Sequence, residues 1–147
     1  MLVKEAMSHD VRIVNPDQDI QDAARIMLEI DAGALPVGEN DRLVGMITDR
    51  DIAVRAVGSG KPPSTRVRDV MTEEVKYCFE DEDTAHVGRN MGEQQIRRLP
   101  VVNRDKRLVG MLALADLATS ARTGQANAAL SGISRPGGAH TQTRASL

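Results

Sequence analysis

Aromatic side chains are almost missing from this 147-residue chain, which has one Tyr, one Phe and no Trp. The core must therefore be filled by Val, Ile, Leu, Met and Ala. Capture of single-stranded nucleic acid by base stacking is disfavoured, because Tyr77 and Phe79 are the only rings besides the histidines. A net charge of -2 offers no basic surplus to a phosphate backbone, so nucleic acid is not an expected partner. The single cysteine, Cys78, rules out an intramolecular disulfide and the thiolate clusters of structural zinc. No apolar run approaches the roughly 20 residues of a membrane span. The opening Met1-Leu2-Val3-Lys4-Glu5 meets charge too early for a signal peptide. These absences lead to the expectation of a cytoplasmic protein with no membrane partner.

What remains is globular in composition, with 41% apolar and 27% charged residues, and enough chain for one ordinary domain or two small ones. The chain repeats itself. Val3-Lys4-Glu5-Ala6-Met7-Ser8 returns as Val67-Arg68-Asp69-Val70-Met71-Thr72, and Leu35-Pro36-Val37 as Leu99-Pro100-Val101. After a one-residue slip at Lys106, Arg42-Leu43-Val44-Gly45-Met46 returns as Arg107-Leu108-Val109-Gly110-Met111. The period is about 64 residues, too long for a solenoid unit, so two tandem copies of a small domain fit better. The expected organisation is a first copy over 1–58, a linker over 59–65 rich in turn-formers, a second copy over 66–121 and a disordered tail over 122–147.

Within the first copy, Val11-Arg12-Ile13-Val14 is a short β-rich run ended by Asn15-Pro16. Asp19 is the expected N-cap of a helix whose apolar stripe is Ile20, Ala23, Ala24, Met27 and Leu28, with Gly33 as its end. Two strands follow, around Leu35-Pro36-Val37 and Leu43–Ile47, joined at Glu39-Asn40-Asp41, and a last helix runs from Thr48 to Gly58. The order per copy is β-α-β-β-α with a short helical turn in front. In the second copy Gly88 and Gly92 replace Ala24 and Leu28, which predicts a softer middle helix through about 0.5–1 kcal/mol per glycine and the lost leucine burial. Each copy is small enough to be marginal alone, so copy is expected to pack on copy, with a pseudo-two-fold axis and a cleft along the seam.

Thr48-Asp49-Arg50-Asp51 follows a strand and opens a helix, and it has two readings. One is a capping box, in which Thr48 and Asp51 satisfy each other's backbone N–H. The other is a nucleoside site, because a carboxylate at a strand-to-helix turn can accept from both hydroxyls of a ribose. The second copy has Ala113-Leu114-Ala115-Asp116, where the capping hydroxyl is lost and the acid kept. An acid in a first helical turn is also favoured by the helix dipole, so both readings stay open.

The recurring Val-x-x-x-Met-Ser/Thr, Leu-Pro-Val and Leu-Val-Gly-Met motifs, with Asp51-Ile52 and Asp116-Leu117 following, resemble a tandem CBS-domain module over about residues 2–121. The resemblance implies an α+β fold of two β-α-β-β-α CBS repeats packed with pseudo-two-fold symmetry, often as a homodimer. It implies a regulatory role in which AMP, ADP, ATP or S-adenosylmethionine binds between repeats and an unidentified partner protein is informed. Carried over by position, Thr48 and Asp51 resemble the family's ribose-binding pair, while Arg12, Ile13, Ala34, Leu35 and Pro36 match the segments that wrap the adenine. In the second copy the matching positions are Tyr77, Cys78, Arg98, Leu99, Pro100 and Asp116, with Ala113 departing from the usual Ser or Thr. Phosphates would need cations nearby. For Arg50, Arg55 and Arg97 an ordinary solvated face is the simpler reading, whereas Arg98 abuts Leu99-Pro100.

Other signals fail. Gly58-Ser59-Gly60-Lys61-Pro62 ends like a phosphate-binding loop, but Arg55 stands at the first glycine position and Pro62 donates no N–H. His9, His86 and His140 are scattered and set no metal-ligand spacing. Cys78 has no histidine close in sequence to activate it, and Asp81-Glu82-Asp83 is a helix start capped by Asp83 rather than a calcium loop. The chain lacks the catalytic barrel of about 250 residues found where CBS pairs sit in larger enzymes. A non-catalytic module is expected, with no metal and no obligatory cofactor. A ligand-free dimerisation or docking module is the alternative.

Overall fold

The computed structural model describes residues 1–119, and these form two compact units that cut across the repeats. One unit is Arg12–Val75. The other joins Met1–Val11 to the described residues from Lys76 onward. The leading turn of each repeat thus belongs to the core of the other repeat's body. The predicted tail, 122–147, lies outside the described residues.

In the first of these units, α2 (Ile20–Ile30) precedes β1 (Ala34–Glu39) and β2 (Arg42–Thr48), the helix α1 (Val3–Ala6) belonging to the other unit. Asp19 caps α2 as expected, its carboxylate accepting from the Asp22 N–H at 2.8 Å. The helix stops earlier than Gly33, because Asp31 takes a left-handed conformation at φ 55°. β1 and β2 run antiparallel with Ala34 opposite Thr48 and a bulge between Val37 and Gly38. Asn40 and Asp41, both at positive φ, make the tight turn between them. Val14 pairs in parallel with Val37 on one edge, and Met46 pairs with Thr72 on the other. The core holds Val14, Ile20, Ala23, Met27, Leu35, Val37, Ile47, Ala56, Val67, Val70 and Met71.

Three expectations need correction here. Of the run Val11–Val14, only Val14 joins the sheet, and Arg12 faces out. The apolar stripe of α2 is narrower than expected: Ile20, Ala23 and Met27 are buried, whereas Ala24 is exposed and Leu28 is 83% exposed. One residue is about 100° on a helix, so Leu28 falls off the face that Met27 occupies. The helix after Thr48 is present but wound as a π-helix over Asp51–Ala56, tightening to 3₁₀ over Val57–Ser59.

The second unit contains α1 (Val3–Ala6), β3 (Cys78–Phe79), α3 (Thr84–Gln94), β4 (Arg98–Val102), β5 (Leu108–Ala113) and α4 (Leu114–Thr119). The sheet order is β3-β4-β5, parallel then antiparallel. Cys78 opposes Val101, Arg98 opposes Ala113, and a bulge falls between Val101 and Val102, so each feature of the first sheet recurs. Asp83 caps α3, accepting from the Ala85 N–H at 3.0 Å. Gly88 and Gly92 are buried here, while the leucine they were compared with is exposed. The predicted softness of α3 therefore loses its burial argument and keeps only the backbone cost of two glycines.

The repeated Gly and Met of the motifs have one cause. A Cβ on Gly45 would stand 2.8 Å from Met71 Sδ and 2.8 Å from the Thr72 carbonyl oxygen. On Gly110 it would stand 2.6 Å from Met7 Sδ and 2.7 Å from the Ser8 carbonyl oxygen. The Met-Ser/Thr segment crosses the strand so closely that only hydrogen fits.

Candidate functional site

Three segments meet at one end of each sheet. In the unit 12–75, Val14 N–H donates to the Pro36 carbonyl at 3.1 Å, which brings Arg12 and Ile13 beside Ala34-Leu35-Pro36. The Ala34–Thr48 pairing then brings in Thr48 and Asp51. Leu35 and Pro36 are buried, and Ile13, Ala34, Thr48 and Asp51 are half-buried. Ile13 lies along the sheet, its Cγ2 facing the space left by the missing side chain of Gly38. Arg12 is the outlying member, exposed and 3.4 Å from Glu29.

The capping box is formed. The Thr48 N–H donates to Asp51 Oδ2 at 3.0 Å, and the Asp51 N–H donates to Thr48 Oγ1 at 3.0 Å. This does not exhaust the carboxylate. The Asp51 side chain is 14% exposed, its Oδ1 has Arg55 Nη1 at 3.9 Å, and an ionised carboxylate offers about four acceptor positions. The Thr48 hydroxyl, having accepted one N–H, keeps its own proton to donate. Arg55 also reaches the Met71 carbonyl oxygen at 3.4 Å.

The second unit repeats the arrangement with other side chains. Cys78 opposing Val101 sets Tyr77 beside Pro100, and Arg98 opposing Ala113 brings β4 to the turn that carries Asp116. The Ala113 N–H donates to Asp116 Oδ2 at 2.7 Å, so the acid caps its turn as Asp51 does, with a methyl group at 113 where the first repeat has the Thr48 hydroxyl. Leu99, Pro100 and Cys78 are buried, Arg98 and Asp116 half-buried. Tyr77 is exposed, with its ring edge-on to Phe79 at 5.7 Å and the Lys106 ammonium 5.7 Å from its centroid. Burial, with the Glu82 charge adding, pushes the Cys78 thiol from 9.0 up to about 12, so it is a packed thiol and no thiolate at neutral pH.

The burial of one arginine was not legible in the sequence. Arg97 Nε is shut from solvent with no hydrogen-bond acceptor. Arg97 is half-buried rather than solvated, which only the packing at the start of β4 shows. Among the described residues no group of three or more His, Cys, Asp or Glu is placed to hold a metal ion, and no helix is long and apolar enough to cross a membrane.

Comparison with known proteins agrees with this architecture. The CBS domain family is matched twice, over residues 3–58 and 67–122. The CBS domain-containing protein YhcV of Bacillus subtilis (strain 168) is 41% identical over 133 residues, covering 90% of this chain and 94% of that one. Hypoxic Response Protein I, whose counterpart is found in Mycobacterium tuberculosis, has a crystal structure with two coordinated zinc ions. It superposes with a TM-score of 0.73 at 34% identity, covering 81% of this chain and 98% of that one. The CBS domain pair of protein MJ0100, solved in complex with 5'-methylthioadenosine and S-adenosyl-L-methionine, gives 0.71 at 29% identity, covering 84% and 98%. CBSX2, solved in complex with AMP, gives 0.72 at 25% identity with the same coverage.

Proposed function

Because this chain belongs to the CBS-domain family, with two CBS domains in tandem, we propose that it is a non-catalytic regulatory module that binds an adenosine-containing ligand. AMP, ADP, ATP and S-adenosylmethionine are the compounds in view. The observation that carries the reading is the Thr48–Asp51 turn. It sets a carboxylate with spare acceptor capacity and a hydroxyl with a spare proton beside the backbone of 34–36. A ribose diol presents two donors to such a carboxylate, as in dinucleotide-binding folds. Relatives of this fold solved with S-adenosyl-L-methionine, 5'-methylthioadenosine and AMP support the ligand class. Binding would shift the population of states in which a partner protein, or a second copy of this chain in a homodimer, is engaged.

Thermal unfolding in the presence of each compound tests this. A ligand that binds only the folded chain adds about 2.7 kcal/mol at a hundredfold excess over Kd. A shift with at least one adenosine compound is expected, and none at millimolar concentration rejects the reading.

A second reading, a ligand-free dimerisation or docking module, is favoured by one observation. Leu28, Val54 and Val57, on the two helices of the unit 12–75, are 83%, 52% and 66% exposed and leave apolar side chains open to a partner surface. Concentration-dependent dimerisation with no ligand effect would select it.

A further inference from the structure

One nitrogen of Arg55 faces two acceptors. Its Nη1 lies 3.9 Å from Asp51 Oδ1 and donates to the Met71 carbonyl oxygen at 3.4 Å. Neither contact is an ordinary surface pair. The carboxylates facing Arg12, Arg25, Arg66, Arg68 and Arg104 are 40% or more exposed, whereas Asp51 is 14% exposed, so its charge is less screened by water. Met71 is itself buried, and its carbonyl accepts from no backbone N–H among the described residues. A buried carbonyl needs a partner, and here a side chain supplies it.

That carbonyl belongs to the segment that crosses the sheet. The Val67 N–H donates to the Gln18 carbonyl at 2.8 Å, and the Arg68 N–H to the Pro16 carbonyl at 3.0 Å. Thr72 and Met46 exchange backbone bonds at 2.8 and 2.9 Å, and the Met71 sulfur faces Gly45. Arg55 therefore joins two groups: the carboxylate that would grip a sugar and the backbone of the crossing segment. In the second repeat the matching position, four residues after Asp116, is Ser120, which carries no charge.

We infer that Arg55 is a positioning residue that couples occupancy of the Asp51 carboxylate to the docking of segment 67–72. The inference rests on the adenosine reading for what occupies the carboxylate, and on the two contacts of Arg55 for the coupling. When a ribose diol donates to the carboxylate, its hydroxyls take up part of the negative charge that draws Arg55. The Met71 carbonyl then becomes the stronger of the two partners. The ligand thus tightens the crossing segment onto β2 without touching it, and by linkage a tightly held segment favours the ligand in return.

Amide hydrogen exchange of the full chain, followed residue by residue by NMR with and without saturating adenosine, tests the coupling. The variants are Arg55→Met, which keeps an apolar stem and removes the charge, and Arg55→Lys, whose single ammonium can still face both oxygens. Circular dichroism checks that each is folded, and isothermal titration measures its binding of adenosine. The reference is the Gly38 amide, which donates to the Val14 carbonyl in the same unit and reports general stabilisation by ligand. In the wild type adenosine should slow exchange at Met71 and Thr72 at least threefold more than at Gly38. Arg55→Met should bind adenosine but lose that excess, and Arg55→Lys should recover part of it. An equal excess in Arg55→Met and wild type, or none in wild type with adenosine bound, overturns the coupling and leaves the adenosine reading standing. Loss of adenosine binding in Arg55→Met would make Arg55 part of the grip rather than a link, and overturns the coupling as well. No adenosine binding by the wild type removes the adenosine reading, and the ligand-free proteins then decide the tether. Arg55→Met should exchange at least twofold faster than wild type at Met71 and Thr72, and equal rates overturn it.

Discussion

Thr48 and Asp51 hold each other's backbone, with the Thr48 N–H on Asp51 Oδ2 and the Asp51 N–H on Thr48 Oγ1, both at 3.0 Å. The capping and binding readings of this turn are therefore compatible. The cap fixes the carboxylate rotamer, and the remaining acceptor positions are what a diol would use. Thr48→Ala, which copies the chemistry at Ala113, should cost about 0.5–2 kcal/mol of stability in urea unfolding. An unchanged midpoint would show that the hydroxyl does nothing for the turn.

Gly45→Ala and Gly110→Ala should each destabilise by about 1–3 kcal/mol, the usual cost of forcing atoms into a filled space. The methyl group would meet backbone carbonyl oxygens as well as methionine tips, at 2.8 Å from Thr72 O and 2.7 Å from Ser8 O. For that reason trimming the methionine should not rescue either variant: Gly110→Ala with Met7→Ala should remain at least as unstable as Gly110→Ala. Full rescue would mean that the strand and the crossing segment can separate freely.

On α2, neighbouring residues should respond in opposite ways. Met27→Ala empties a core position and should cost about 2–5 kcal/mol, whereas Leu28→Ala, at 83% exposure, should stay within about 0.5 kcal/mol. A large loss at Leu28 in dilute solution would place that side chain in an interface, as the dimer reading requires.

Much of this fold could be read from short-range rules. The duplicated motifs, the caps at Asp19 and Asp83 and the turn at Asn40-Asp41 all depend on a few adjacent residues. What could not be read depends on partners far away in sequence. Nothing local to Val3–Ala6 says that it lies on the sheet holding Met111, and nothing local to Leu28 says that its side of the helix is left uncovered. The same holds for the site. Asp51, Asp116 and their strands were legible as a pattern. The unmet Nε of Arg97 was not, because an arginine before a strand looks solvated until packing closes over it.

Cys78 gives a pH test with a defined window. Its unfolded thiol titrates near 9.0, while burial holds the folded one up to about 12. Below pH 9 both states keep the proton and stability is unaffected. Above pH 9 the unfolded chain loses the proton first, so stability falls as pH rises and keeps falling up to about 12. The difference in stability between wild type and Cys78→Ala should shrink across that window, and the native thiol should resist alkylation at pH 8 until denaturant is added. A constant difference and fast native alkylation would place the thiol in water.

The most direct test is equilibrium binding of adenosine and AMP to the wild type and to Asp51→Asn. The amide oxygen of Asn can still accept the Thr48 N–H, so the cap and the fold are kept while the charged acceptor is lost. A hydrogen bond to a charged group contributes about 1.5–3 kcal/mol, so affinity at that site should fall by about tenfold or more with no change in secondary structure. Equal affinity of the two proteins, with the variant folded, would contradict a sugar-gripping role for Asp51.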